Sequence, residues 1–482
     1  MDRPDAIGHR LTLWVVLAAL AFSSWPCHGL PSRRDRWATV RTEHFILLGN
    51  APRATILAVG RDLEQLRAVL SQISDLRLDP TTPTILYVFK NEKHLQPYAH
   101  LQPDGRPRRL SGAFFRNPHV NHILINGEHP QRARRVVFHE YVHFFISYNL
   151  PAVPLWFEEG LAELYSTFEA DAEQAHLGKA VPHHLQWLRT REWIPLADLL
   201  TVDRASPIYN EQSRQGSYYA QSWLLAHYLL HGRSDDGAAL SRLLASLSSW
   251  PPEQALQLSL DMSAAELDQT LRRYAAQDVH VSRRIPLQQP PTSSGSTWRR
   301  LPRLDTLVAL GHLLAVQTGR RFEAEQHFRA ALDIDSRQVE AWVGLGLAAE
   351  RADDFNAAVD AYGHALSLNP SHDLAASLSA RARLARGEDP RLVRLELRRI
   401  TQRRPESALA WQLLAATYGH PQATPQEARE GIPVFLRALE LSPEHHRLAR
   451  ALHRLFQWLH MDQEASRLEA EYFRPRGLSP KP

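Results

Sequence analysis

Residues 139–143 read His139-Glu140-Tyr141-Val142-His143, and residues 154–163 read Pro154-Leu155-Trp156-Phe157-Glu158-Glu159-Gly160-Leu161-Ala162-Glu163. The conformation of the first stretch decides what the pair can do. On a helix, side chains four residues apart share a face with Cβ atoms about 5–6 Å apart. Two imidazoles so placed reach one metal ion at about 2.0–2.1 Å. On a strand the same residues stand about four rises of 3.3 Å apart, too far to chelate one ion. Local propensity leaves the choice open, because Val136, Val137, Phe138, Val142 and Phe144 suit a strand as well as a buried helix. The second stretch argues for the helix. A catalytic zinc site needs three protein ligands and one open position. Glu159, sixteen residues after His143, can supply the third ligand from a second, antiparallel helix. Glu158 competes for that role. Gly160 beside it removes a side chain and permits a close helix approach. Glu163 lies one turn beyond Glu159, where it can accept the free N–H of a ligand histidine and fix the ring.

The segment Trp156-Phe157-Glu158-Glu159-Gly160-Leu161-Ala162, following His139-Glu140-Tyr141-Val142-His143, resembles the peptidase MA-like branch of the gluzincin zinc metallopeptidases. There the two histidines and their glutamate precede a Trp-x-x-Glu-Gly-x-Ala pattern. The resemblance covers about residues 37–277. It implies an α+β zincin-like domain, zinc (Zn2+) at His139, His143 and Glu159, and Glu140 as general base. It favours Glu159 over Glu158, because Glu159 is the residue preceding the glycine. The spacing from His143 is shorter than in the aminopeptidase relatives, so their amine-recognition elements need not be present. Gly216-Ser217-Tyr218-Tyr219-Ala220-Gln221-Ser222-Trp223 resembles the downstream helix on which the family carries a tyrosine, with Tyr219 the first choice for oxyanion stabilisation and Tyr218 the second. An aromatic packing position is the rival reading. Gly112-Ala113-Phe114-Phe115 resembles the edge strand that pairs with extended substrate, and an ordinary sheet edge is the rival there.

Around these motifs the chain reads as a mixed α/β unit. Trp37 to Leu48 reads as a strand, Ala54 to Ile73 as a helix, and Thr84-Ile85-Leu86-Tyr87-Val88-Phe89 as a buried strand. Gly112–Phe115 and His122–Ile125 read as two strands joined at Asn117-Pro118, and helices are expected near 131–148, 154–167 and 214–231. Residues 286–304, rich in Pro, Ser and Gly, read as a linker. Beyond it the chain repeats. Ala324, Phe328 and Ala331 recur 34 residues later as Ala358, Tyr362 and Ala365. This resembles tetratricopeptide repeats, which stack helical hairpins so that each buries its apolar face on the next. The signature is good for 339–372, fair for 305–338, and degenerate for 408–443, where Pro421 to Pro425 interrupts it. The expected organisation is therefore 1–29 signal peptide, 30–285 metallopeptidase-like domain, 286–304 linker and 305–482 all-α repeat domain.

The signal reading rests on Leu11 to Phe22, an apolar run of signal-core length flanked by Arg3 and Arg10. It is too short to span a membrane comfortably, so the only membrane element expected is an N-terminal anchor if cleavage fails. The implied location is the periplasm or cell envelope. Among 482 residues there is one cysteine, Cys27, which excludes a Cys-rich zinc module and leaves with a cleaved signal. A formal net charge of +4 is small for this length, and no nucleic-acid module is present. The densest basic cluster, Arg381 to Arg404, reads as a solvated helix surface, with a docking patch as the alternative. Of the 25 histidines, His183, His184, His227 and His231 read as surface or packed residues.

The leading expectation is an exported zinc-dependent peptidase acting on peptide or protein substrates, with repeats that bind a protein partner. The alternative is an inactive metallopeptidase-fold scaffold in which the repeats do the work.

Overall fold

The computed structural model describes residues 29–473 apart from 75–82, 103–106, 108–111, 116–119, 151–152, 172, 211, 236, 288–295 and 444, together with residue 480. The expected signal segment with Cys27, the Asn117-Pro118 junction and the middle of the expected linker lie outside the described residues.

Nine strands run in chain order among the described residues: β1 (Ala38–Arg41), β2 (Ile46–Gly49), β3 (Thr84–Phe89), β4 (Gly112–Phe115), β5 (Asn121–Asn126), β6 (Glu169–Ala170), β7 (Gln174–Leu177), β8 (Arg283–Pro286) and β9 (Thr297–Arg300). Six of them form a mixed sheet in the order β4-β5-β3-β2-β1-β9. The centre is parallel, and β4 closes one edge antiparallel to β5. The other three form a small antiparallel sheet, β6-β7-β8.

The unbroken apolar run of β3 has a direct physical cause. Leu86 and Val88 face one core with the helix Arg53–Ile73, while Tyr87 and Phe89 face another that contains Leu307, Leu310 and Leu314 of the first repeat. A strand covered on both faces has no solvent side and needs no polar alternation.

Two expectations are revised. The span Trp37 to Leu48 is not one strand but a hairpin of β1 and β2. Thr42 accepts from the backbone N–H of Phe45 at 3.1 Å, and its own N–H reaches the Phe45 carbonyl at 3.0 Å, which closes the turn. Within the expected linker, Thr297–Arg300 forms β9 and pairs with β1. The chain thus returns to the sheet before it enters the repeats.

The rest of the chain is mostly helical. Five successive helix pairs follow β9, from Arg303–Ala315 with Arg321–Leu332 to His446–Trp458 with Asp462–Leu468. Small residues set their spacing: a Cβ on Gly346 would sit 2.4 Å from the Tyr362 ring. The prolines at 421–425 occupy a connecting loop, and Pro425 opens the helix Pro425–Leu441 behind a Thr424 capping box. The arginine cluster is mostly exposed, as a solvated helix surface should be, and most of its charges are paired with carboxylates. Arg381 pairs with Glu350 and Arg391 and Arg394 pair with Glu427, linking neighbouring hairpins, while Arg403 and Arg404 pair with Asp373 within one hairpin.

The first repeat is fastened to the back of the sheet. Tyr87 donates to the Ala309 carbonyl at 3.0 Å, and Gln317 donates to the Tyr98 carbonyl at 3.0 Å. Arg320, only 1% exposed, donates to the carbonyls of Pro97 at 2.6 Å and Ala99 at 3.0 Å and pairs with Glu323 at 2.7 Å. No helix among the described residues is long and apolar enough to cross a membrane.

Candidate metal centre

The first motif lies on the helix Pro130–Asn149. Propensity left this open, and packing decides it. Val137, Phe138, Tyr141, Phe144 and Phe145 are buried in the sheet core with Leu86, Ile123 and Ile125. Residues 132, 135, 136, 139, 140 and 143 form the opposite stripe and line a cavity of about 1960 Å³. That 3–4 residue spacing is what a helix, and only a helix, provides.

The second motif lies on the helix Leu155–Tyr165, whose Trp156, Leu161, Ala162 and Leu164 are buried. The close approach expected at Gly160 is made to a third helix, Gln212–His227. A Cβ at Gly160 would lie 2.3 Å from the Ser222 carbonyl oxygen and 2.9 Å from the Ala226 Cβ. Gly160→Ala should therefore push these helices apart and cost about 3 kcal/mol, at the upper end for an overpacked core. Because Glu159 sits on the first of these helices, any metal affinity of the site should fall with stability. Thermal unfolding alongside zinc titration reads both, and an unchanged melting temperature would contradict this packing.

His139, His143 and Glu159 converge on one point. Their inward atoms form a small triangle: His139 Nε2 to His143 Nε2 is 3.0 Å, His143 Nε2 to Glu159 Oε2 is 3.3 Å, and His139 Nε2 to Glu159 Oε2 is 3.5 Å. Tetrahedral zinc with ligand bonds near 2.0–2.1 Å requires ligand–ligand separations of about 3.3–3.4 Å. The triangle fits that requirement. Glu159 is 2% exposed, and its Oε2 has no hydrogen-bond partner among the described residues. A buried carboxylate oxygen left so is costly unless a cation or donor meets it. The residues present thus fit a divalent metal with nitrogen and oxygen ligands.

Each member of the triangle is held from behind. His139 Nδ1 lies 3.4 Å from Glu163 Oε1, and Glu163 Oε2 is 3.0 Å from His184 Nε2. His143 Nδ1 lies 3.0 Å from Glu158 Oε1, and Arg204 donates to both Glu158 oxygens at 2.9 and 2.8 Å. Tyr209 donates to Glu159 Oε1 at 2.9 Å and also engages the Tyr219 hydroxyl. Glu158 therefore orients His143, while Glu159 faces the triangle. Outer partners of this kind fix the tautomer and angle of metal-ligating rings.

The charges follow from this arrangement. Burial raises the Glu159 carboxyl, but His143 and His139 override it and hold it well below the usual range. Glu163 is likewise raised by burial, yet His184 and His139 bring it down to about 2. Burial lowers His139 and His143, and the surrounding carboxylates lift both above the ordinary imidazole value. Glu140 differs. Burial pushes its carboxyl up, Glu159 and Glu163 add to the rise, and the two histidines only partly oppose it. A carboxylate with a raised pKa is a better proton acceptor.

Of the two tyrosines, Tyr219 lines the cavity with its ring centroid 6.4 Å from that of His139, whereas Tyr218 is fully buried. Gly112, Ala113 and Phe114 of edge strand β4 line the same cavity. Three residues of the site had no sequence signal. Arg204 lies in a connecting segment and Tyr209 on the short helix Pro207–Asn210, neither with motif spacing to Glu159, and His184 reads in the sequence as a packed histidine. Its contact with Glu163 across 21 residues exists only in the fold.

Residues 339–372 match the tetratricopeptide-repeat family model. Repeats of this kind suggest binding of a protein partner. No curated protein matches the chain. Among solved structures, the chain is similar to a double mutant of MamA RS-1 at 19% identity and TM-score 0.30, over 34% of this chain and 91% of that one. It is similar to MamA 41-end from Desulfovibrio magneticus RS-1 at 19% identity and TM-score 0.30, over 34% and 93%. It is also similar to YrrB, described as a TPR protein with an unusual peptide-binding site, at 15% identity and TM-score 0.29, over 36% and 85%.

Proposed function

We propose that the chain is an exported zinc-dependent peptidase of the zincin type, whose tetratricopeptide repeats recruit a protein partner or substrate. The observation that carries this reading is the triangle of His139, His143 and Glu159 at the floor of an open cavity, with Glu140 beside it. Export is supported by the apolar N-terminal run Leu11 to Phe22.

In this reading His139, His143 and Glu159 hold the ion. Bound there, zinc supplies Lewis acidity and brings water ionisation down toward neutral pH. Glu140 does not ligate; it takes the proton of the attacking water and delivers it to the leaving amine nitrogen. Tyr219 presents its hydroxyl to the developing oxyanion. Edge strand β4 offers backbone groups to an extended substrate. Glu163 and Glu158 keep the imidazoles aligned, and Tyr209 does the same for Glu159.

Chelation is the direct test. Removing zinc should abolish hydrolysis of unstructured peptides, and adding it back should restore the rate. Peptide cleavage that persists through chelation would refute the assignment.

A second reading is supported by the family match, which lies wholly in the repeats. There the chain is a scaffold that binds proteins through its repeats, and the N-terminal unit is catalytically silent. In that case the wild type binds partners and cleaves nothing, with or without zinc.

A further inference from the structure

We propose that the cavity carries an anion-binding subsite made by Arg132 and Arg135, so that the preferred substrate is a peptide with a carboxylate two to three residues from the scissile bond. The inference rests on the peptidase reading above and adds a substrate class to it.

The helix Pro130–Asn149 presents one stripe to the cavity, and the charge on that stripe changes sign along its length. At the metal end stand His139, Glu140 and His143. One and two turns toward the N-terminus stand Arg135 and Arg132. Among the described residues no carboxylate pairs with either arginine. Their neighbour Arg134 points to the other side of the helix and is paired with Asp62 at 3.3 Å. The acidic groups of the cavity do not neutralise the arginines either. Glu158 is taken by Arg204 and His143, Glu163 by His184, Glu159 belongs to the triangle with His139 and His143, and Glu140 forms no ion pair with either arginine. Two cations thus face a large cavity without counter-ions among the described residues, on a helix whose N-terminal dipole adds to their field.

The distances define the ligand. Arg135 and Arg132 precede His139 by four and seven residues, which is about 6 and 10 Å along a helix axis. An extended peptide advances about 3.3 Å per residue, so a chain lying along this stripe places its second or third residue from the scissile bond opposite the guanidiniums. Guanidinium groups bind carboxylates bidentately, which makes an acidic side chain or a chain-terminal carboxylate the fitting group.

The test uses the full-length protein and matched peptide sets: Glu or Gln at each of the three positions on either side of the cleaved bond, with free or amidated C-termini. Peptide binding to Glu140→Gln protein and cleavage by the wild type are read in parallel. A carboxylate at the second or third position should improve Kd and KM about ten- to a hundredfold, the range of charge-assisted hydrogen bonds. Arg132→Gln with Arg135→Gln should collapse that ratio to near unity while zinc content and melting temperature hold. Loss of the preference on amidation alone would assign the subsite to the terminal carboxylate, and its persistence would assign it to an acidic side chain. Equal Kd for Glu and Gln peptides, or a preference that survives both substitutions, overturns the proposal. Carboxylate-dependent binding without cleavage would leave the subsite standing and refute the peptidase reading instead.

Discussion

Glu140→Gln is expected to retain zinc and to lose peptide hydrolysis by about a hundred- to ten-thousandfold, the span of general acid–base contributions. The argument is geometric and electrostatic. Glu140 lies on the stripe that faces the cavity, one residue from His139, and takes no part in the triangle of His139, His143 and Glu159. Glutamine preserves its size and removes only the basic oxygen. Burial and the neighbouring carboxylates raise the Glu140 pKa, which makes its carboxylate a stronger proton acceptor. Zinc content measured beside turnover separates this from collapse of the site. If Glu140→Gln cleaves at the wild-type rate, Glu140 is not the base. If it loses zinc as well, the residue supports the metal.

The second large effect lies away from the metal. Arg320→Ala should destabilise the protein by about 3 kcal/mol, because it removes the buried partner of a half-buried ion pair and strips the donors from the half-buried Pro97 carbonyl and the buried Ala99 carbonyl. Arg320 is 1% exposed and holds Pro97, Ala99 and Glu323. Those carbonyls belong to the segment whose Gln96, His100 and Leu101 line the cavity. The first repeat therefore braces one wall of the candidate active site. Arg320→Lys should recover only part of the loss, since an ammonium cannot reproduce the planar fork. Denaturant unfolding measures both. A change below about 1 kcal/mol for Arg320→Ala would contradict the bracing role.

How much of this was legible in the sequence depended on whether the signal was local. The spacing of His139 and His143, the adjacent Glu140 and the placement of Glu159 beside Gly160 are short-range patterns, and the fold brings those residues together. The repeat at 339–372 was legible because its small and aromatic residues recur at a fixed period. Contacts set by long connections were not. Tyr209 bonds Glu159 across 50 residues, and Gln317 bonds the Tyr98 carbonyl across 219. The strand β9 was hidden by composition: Thr297-Trp298-Arg299-Arg300 looks like part of a Pro/Ser-rich linker until β1 offers it an edge. The hairpin of β1 and β2 was missed because the Thr42 turn carries no glycine or proline. The arginine cluster is the exposed helix face its composition suggests, but its long-range pairing, as of Arg391 with Glu427 across 36 residues, had no local signal.

The measurement that bears most directly on the account is zinc stoichiometry in the intact chain. The wild type should bind a single zinc ion per chain. His139→Ala, His143→Ala and Glu159→Ala should each lose it while the circular dichroism spectrum is kept, and His231→Ala should retain it. A wild type that takes up no zinc, or uptake that survives loss of His139 and His143, would contradict the metal centre and the function built on it.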